Sequence, residues 1–253
     1  MNEPGGPSGP HPPRAPGGPP AHPGRAPRSR RPPYPDEALD WLLPRDAPRV
    51  LDLVAGTGRL TRRLRSRGLD VVAVDPSAAM LAELRRTLPG VPTHQGDTAR
   101  IPLPDHCADV VLIAEAWHGL DPPRALPEIA RVLSPGGRLG LIRNTRDERV
   151  DWVARLGAII AGAGPPGGPR LGPPFGPADR AVFAWSHQLK PDDLITLAGS
   201  RSREILLPAD ERAAVLAQIR QLMATHPALL GQAFHTLPYV TECVHATLLT
   251  HPP

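Results

Sequence analysis

The chain has 253 residues, 40% of them hydrophobic, with 36 Pro, 24 Gly and a formal net charge of +4. That is enough apolar side chain for one large α/β domain with a buried core. The longest apolar run, Val110–Ala114, falls far short of the roughly 20 residues that cross a bilayer, which argues against a membrane-spanning helix.

Residues 1–33 are rich in Pro and Gly and hold almost no side chain suited to a core. Burial there cannot offset ordering entropy, so a disordered tail is expected over 1–33 and a folded domain over 34–253. The tail also holds the surplus charge: Arg14, Arg25, Arg28, Arg30 and Arg31 against Glu3. The remaining 24 basic and 24 acidic side chains balance, so the folded part offers no basic groove for nucleic acid.

From Tyr34 the pattern changes. Residues 35–43, PDEALDWLL, place Ala38, Leu39, Leu42 and Leu43 at helical spacing, with Asp36 as the expected cap. RVLDL (49–53) reads as a buried strand. GRLTRRLRSRG (58–68) reads as a helix with Leu60 and Leu64 inward and Gly68 as its stop. DVVAVD (70–75) is a second strand. The next helix is capped by Ser77, carries Met80, Leu81, Leu84 and Leu88 on its apolar stripe, and ends at Pro89-Gly90.

ADVVLIA (108–114) is apolar throughout, as a strand buried on both faces requires. RALPEIARVLSPGG (124–137) is a helix that Pro127 is expected to delay or bend. GRLGLIRNT (137–145) is the following strand. Beyond it, 151–162 reads as helical, 164–177 as an irregular loop, 181–189 as a strand, 192–200 and 209–227 as helices, and 239–249 as the closing strand. Such alternation predicts a doubly wound α/β fold, a parallel sheet with helices on both faces. Cys107 and Cys243 form no CxxC pattern, and His226, His235 and His245 lack metal-ligand spacing. No metal site is expected. The thiols and the absence of a charged-then-apolar leader fit a cytoplasmic protein.

An open parallel sheet binds its ligand at the carboxyl ends of its strands, where strand order reverses. The loop after the first strand, DLVAGTG (52–58), lies there. Gly56 and Gly58 allow a tight turn, and the following helix aims its N–H groups at the ligand. A dinucleotide requires G-x-G-x-x-G. Reading from position 54 gives Val54, Gly56 and Arg59, so the dinucleotide reading fails on spacing. S-adenosylmethionine has no pyrophosphate and needs only the shorter loop with its leading acid.

Four segments in order, VLDLVAGTG, VVAVDPSAAML, GDTARIPLPDHCADVVL and RVLSPGGRLGL, resemble the motifs of class I S-adenosylmethionine-dependent methyltransferases. The likeness is to the small-molecule, UbiE-like branch, the methyltransferase type 11 group. The resemblance implies a Rossmann-like, seven-stranded sheet, mostly parallel with its last strand antiparallel, and S-adenosylmethionine as the cofactor. Asp52 would face its ammonium group and Asp75 would accept the ribose hydroxyls. Asp97 would take the adenine amine, with Thr98 beside it. Tyr34, Ala55, Gly56, Thr57, Gly58, Pro76, Met80, Ala114 and Glu115 would complete the cofactor site. Val54 departs from the family, which has glycine there. At a positive φ it would cost roughly 1–3 kcal/mol.

The acceptor is expected beyond the fourth strand, in IAEAWHGLD (113–121), where Glu115, Trp117, His118 and Asp121 would point toward the methyl group. His118 is the candidate base or orienting group, against the alternative of a histidine bonded to backbone. Arg143 and Asn144 suit a polar or carboxylated acceptor, and residues 150–187 its cover. Two alternatives to a small-molecule enzyme stand: a cofactor-binding protein without turnover, and an RNA or protein methyltransferase recruited by the tail.

Overall fold

The computed structural model describes residues 32–45, 49–160, 169, 171–199 and 208–250. The expected tail thus lies outside the described residues apart from Pro32 and Pro33. The helices are α1 (Asp36–Leu42), α2 (Arg59–Ser66), α3 (Ala78–Thr87), α4 (Pro122–Val132), α5 (Asp151–Ile159), α6 (Pro191–Gly199) and α7 (Ala209–Thr225). The strands are β1 (Arg49–Leu53), β2 (Asp70–Asp75), β3 (Thr93–Gln95), β4 (Ala108–Ala114), β5 (Leu133–Arg146), β6 (Asp179–Leu189) and β7 (His235–Thr247).

The strands form one seven-stranded sheet in the order β3-β2-β1-β4-β5-β7-β6. β1 through β5 pair in parallel, whereas β7 runs antiparallel to both β5 and β6. The order reverses between β1 and β4, so a crevice opens at their carboxyl ends.

Both faces are covered. Leu39 and Leu42 of α1 and Leu60 and Leu64 of α2 pack on Val50, Val71, Val110, Leu112 and Ile142. On the opposite face Leu126 and Ile129 of α4 pack on Leu51, Leu53, Ile113 and Leu141. Each such leucine contributes about 1.5–3 kcal/mol by burial. A separate cluster joins α5, α6 and α7 to Leu189, Leu237 and Tyr239 at the far ends of β6 and β7. No helix among the described residues is long and apolar enough to cross a membrane.

Three local expectations are corrected. Asp36 is the first helical residue, with Pro35 at the cap position, and its carboxylate takes Arg63 at 2.6 Å and Arg67 at 2.8 Å. α4 starts at Pro122, where proline suits the first turn, and continues through Pro127 at the loss of one backbone bond and some crowding of the carbonyl of Pro123. Residues 133–137, expected at the helix end, begin β5 instead.

Candidate functional site

The loop between β1 and α2 turns through three left-handed residues, Val54 (φ 63°), Gly56 (φ 59°) and Gly58 (φ 83°). A Cβ on Gly58 would sit 2.7 Å from Leu84 Cγ, so that position requires glycine. At Gly56 a Cβ would meet nothing within 4 Å, which leaves open space beside the backbone. Asp75, at the tip of β2, anchors the turn: its Oδ2 accepts from Gly56 N at 2.7 Å and its Oδ1 from Ser77 N at 2.8 Å.

Val54 packs its side chain against the apolar cluster under α4. The positive φ makes it a strained β-branched residue at a cost of about 1–3 kcal/mol. Val54→Gly relieves that strain while losing the packing and loosening the unfolded chain. The expected result by calorimetric titration is S-adenosylhomocysteine affinity equal to or tighter than that of the native protein. Weaker binding would show that the valine supports the loop rather than crowding it.

Asp52 is fully buried on the α2 side of β1. Its Oδ2 accepts from Thr61 Oγ1 at 2.5 Å, whereas Oδ1 has no hydrogen-bond partner. Loss of water pushes its carboxyl up to about 6, against the pull of the Thr61 bonds.

Tyr34 and Arg59 lie close to Asp52. Tyr34 is 1% exposed, and its hydroxyl donates to Glu115 Oε1 at 3.3 Å while accepting from Arg59 Nη2. Burial, with Glu115 nearby, raises that phenol well above its ordinary value. The Arg59 guanidinium stacks 4.4 Å from the Tyr34 ring centroid and reaches Glu115 Oε1 at 3.0 Å and Pro32 O at 3.2 Å. Asn144 extends the network: its N–H donates to Glu115 Oε1 at 3.1 Å and its Nδ2 to Pro33 O at 3.0 Å. Thr241 Oγ1 donates to Asn144 Oδ1 at 2.6 Å and accepts from Trp185 Nε1 at 2.8 Å. Residues 32–34 are thereby strapped across the sheet edge.

Arg59 was not among the residues expected at the site. One signal was available: a cation in the first turn of a helix opposes the dipole by about 0.3–1 kcal/mol, so it needs another partner. Asn144 is a correction of a different kind. It lies on the opposite face from Arg143 and holds the strap, so it does not line the acceptor side.

On the α4 face a cavity of about 620 Å³ opens at the ends of β4 and β5 and extends across β7 to β6. Trp117, His118 and Leu120 stand over it, with Glu115 at its inner wall and Arg143 on β5. Trp117–Gly119 forms a single 3-10 turn, which leaves the His118 ring exposed. Asp121 does not line the cavity; it precedes α4 and its side chain makes no capping bond. Of residues 150–187, Pro169 and Arg180–Val182 reach the cavity, while α5 packs in the outlying cluster instead. Residues 161–168 and 170 lie outside the described residues.

The other expected contacts fall around the loop. Ala55 packs against the α3 cluster and Ala114 against the α2 side. Thr57 is exposed, and Pro76 and Met80 flank the start of α3. Asp97 is exposed just beyond β3, its Oδ1 accepting from Ala99 N at 2.8 Å and Arg100 N at 2.9 Å, with Thr98 buried beside it.

Comparison with known proteins gives one answer. The family described as "Methyltransferase domain" matches residues 51–141. An uncharacterised methyltransferase of Mycobacterium bovis is 56% identical over 220 residues, 86% of this chain and 90% of that protein. An uncharacterised methyltransferase-like protein of Schizosaccharomyces pombe is 34% identical over 212 residues, 78% of this chain and 82% of its own. Likeness to a demethylmenaquinone methyltransferase of Beutenbergia cavernae is partial, 43% over 102 residues, 40% of this chain and 42% of that enzyme. Among solved structures, a type II methyltransferase candidate from Anaeromyxobacter dehalogenans superposes with a TM-score of 0.66 at 25% identity, covering 87% of this chain and 99% of that one. Its loop, sheet order and relatives agree: the chain belongs to the class I methyltransferases, in the methyltransferase type 11 group.

Proposed function

We propose that this enzyme moves a methyl group from S-adenosylmethionine to a small molecule held in the cavity beneath Trp117–Leu120. The observation that carries the reading is the buried Asp52 with its unpartnered Oδ1, behind a glycine loop that is open at Gly56. A buried carboxylate with one oxygen unpartnered is costly, and a cationic ligand group compensates it.

The residues present fit the cofactor. Asp52 would hold its ammonium group and Asp75 its ribose hydroxyls. The backbone of Ala55, Gly56, Thr57 and Gly58 would follow its amino-acid chain. Asp97 and Thr98 would meet the adenine, with Pro76 and Met80 beside it. Tyr34, Ala114 and Glu115 would close the remaining side. When bound, the cofactor supplies a methyl group on a sulfonium, a leaving group that needs no metal.

What remains for the protein is position, desolvation and a proton. The strap across residues 32–34 closes over Arg59 and Glu115 beside the loop, and the apolar cavity walls hold the acceptor. Glu115 stands between loop and cavity, neutralised on the loop side by Arg59. His118 stands over the cavity with an exposed ring, where it takes or orients a proton if the acceptor still carries one.

The test is titration with S-adenosylhomocysteine followed by labelled-methyl transfer to a panel of small acceptors. Binding without any transfer would favour the non-catalytic alternative. His118→Ala is expected to keep native cofactor affinity while lowering turnover about 10²-fold or more, the usual worth of a positioned base. Normal turnover in that variant would remove His118 from the reaction.

A further inference from the structure

We propose that the cavity recognises an anionic acceptor, a small molecule with an apolar body whose carboxylate docks on Arg180 and Arg143. The inference rests on the cavity being the acceptor site and deepens that reading.

Strand alternation places the charges. Arg143 of β5 is in register with Glu242 of β7, Val182 of β6 with the same Glu242, and Arg180 with Val244. All of these line the cavity from one face of the sheet. The lining holds two arginines, Arg143 and Arg180, and two glutamates, Glu115 and Glu242, so any excess depends on partners outside the cavity. Glu115 is already set against Arg59 at 3.0 Å. Glu242 lies 3.8 Å from Arg143, beyond the roughly 2.7–2.9 Å of a charge-assisted bond. Arg180 makes no ion pair among the described residues; its Nη2 donates to the carbonyl of Pro169 at 2.7 Å. The wall is left with one cation in excess.

Chemistry narrows the ligand further. A guanidinium presents a planar fork of donors that matches a carboxylate. Between the arginines and the 3-10 turn the lining is apolar: Ile113, Leu120, Leu141 and Val244. Val182 stands 66% exposed next to Arg180, an uncovered apolar side chain at the cavity's outer wall. The volume, about 620 Å³, lies inside the roughly 300–1,000 Å³ usual for small-ligand pockets. An acid anchored on the two arginines leaves its other end beside Trp117 and His118.

The experiment titrates the full chain with octanoate and 3-phenylpropionate, and with octylamine and 1-octanol as matched controls. Both acids are expected to bind at least about tenfold more tightly than the controls, the scale of one charge-assisted bond. Arg180→Gln is expected to abolish that preference and Arg180→Lys to keep part of it, with S-adenosylhomocysteine affinity native in both. The proposal is overturned if neither acid binds saturably, if the amine or alcohol binds as well, or if Arg180→Gln changes nothing. Titration of the native chain with S-adenosylhomocysteine reads the methyltransferase function separately. A protein that prefers the acids but ignores that compound would refute the function and leave the anion site standing.

Discussion

Asp52→Asn is expected to stabilise the ligand-free protein at pH 8 while weakening S-adenosylhomocysteine binding at least about tenfold, the worth of one charge-assisted hydrogen bond. The stability half follows from linkage. Burial raises the carboxyl to about 6 in the fold, above its ordinary value of 3.8. Below the ordinary value the group is protonated in folded and unfolded chains alike, and stability is complete. As the pH rises through that value toward 6 the unfolded chain ionises first, and up to about 3 kcal/mol is lost, a loss that stays constant above. Asparagine does not ionise and still accepts the Thr61 hydroxyl. Its amide N–H₂ is a poorly satisfied neutral group, less costly than an unpartnered carboxylate. A net gain of about 1–2 kcal/mol, roughly 2–8 °C in melting temperature, is expected at pH 8 and should shrink toward pH 5.

The binding half has the opposite sign. A ligand ammonium stabilises the ionised acid, so native affinity is expected to be flat above pH 6 and to fall as the pH drops below it. The asparagine variant has no such slope. Thermal melts and titrations from pH 5 to 8 read both halves. A variant that is no more stable at pH 8 and binds as tightly as the native chain would mean that Asp52 does not meet the cofactor's ammonium group.

How much of this was legible in the sequence depended on the distance between partners. α2 and α3 were readable because their apolar stripes and stops lie within one segment. Ser77 caps α3 by accepting from Met80 N at 3.3 Å, as its place before the stripe indicated. β3 was not readable: Thr93–Gln95 is three residues of half-buried or exposed side chain with no apolar alternation. The loop's tight turn was legible, since Gly56 and Gly58 permit the positive φ that both adopt. The strap was not. Its bonds join Tyr34 to Glu115 and Pro33 to Asn144, across 81 and 111 positions. Asn144 shows the same limit, since neighbouring strand residues point to opposite faces and only the register tells which faces the cavity. The loop and the cavity meet at Glu115, whose φ of 66° no composition or spacing announces.

The largest loss is expected from Asp75→Ala, with S-adenosylhomocysteine affinity down at least about 100-fold, the cost of about two charge-assisted hydrogen bonds. Two effects combine. The carboxylate would accept the ribose hydroxyls, and each of its oxygens already accepts a backbone N–H, Gly56 on one side and Ser77 on the other. Removing it frees the left-handed Gly56 to leave the turn, so the cradle loses its shape as well as its acid. Destabilisation of about 1–3 kcal/mol should accompany the loss, from two backbone donors left without an acceptor. Two further substitutions separate charge from shape. Asp75→Asn keeps an acceptor for one N–H and sets an amide N–H₂ against the other, so it should bind nearly as poorly as alanine. Asp75→Glu keeps the charge on an arm one methylene longer and should recover part of the affinity. Native binding by the asparagine variant would show that the hydroxyls do not need a carboxylate. Failure of the glutamate variant to recover anything would show that the fixed turn at Gly56, rather than the charge, carries the affinity.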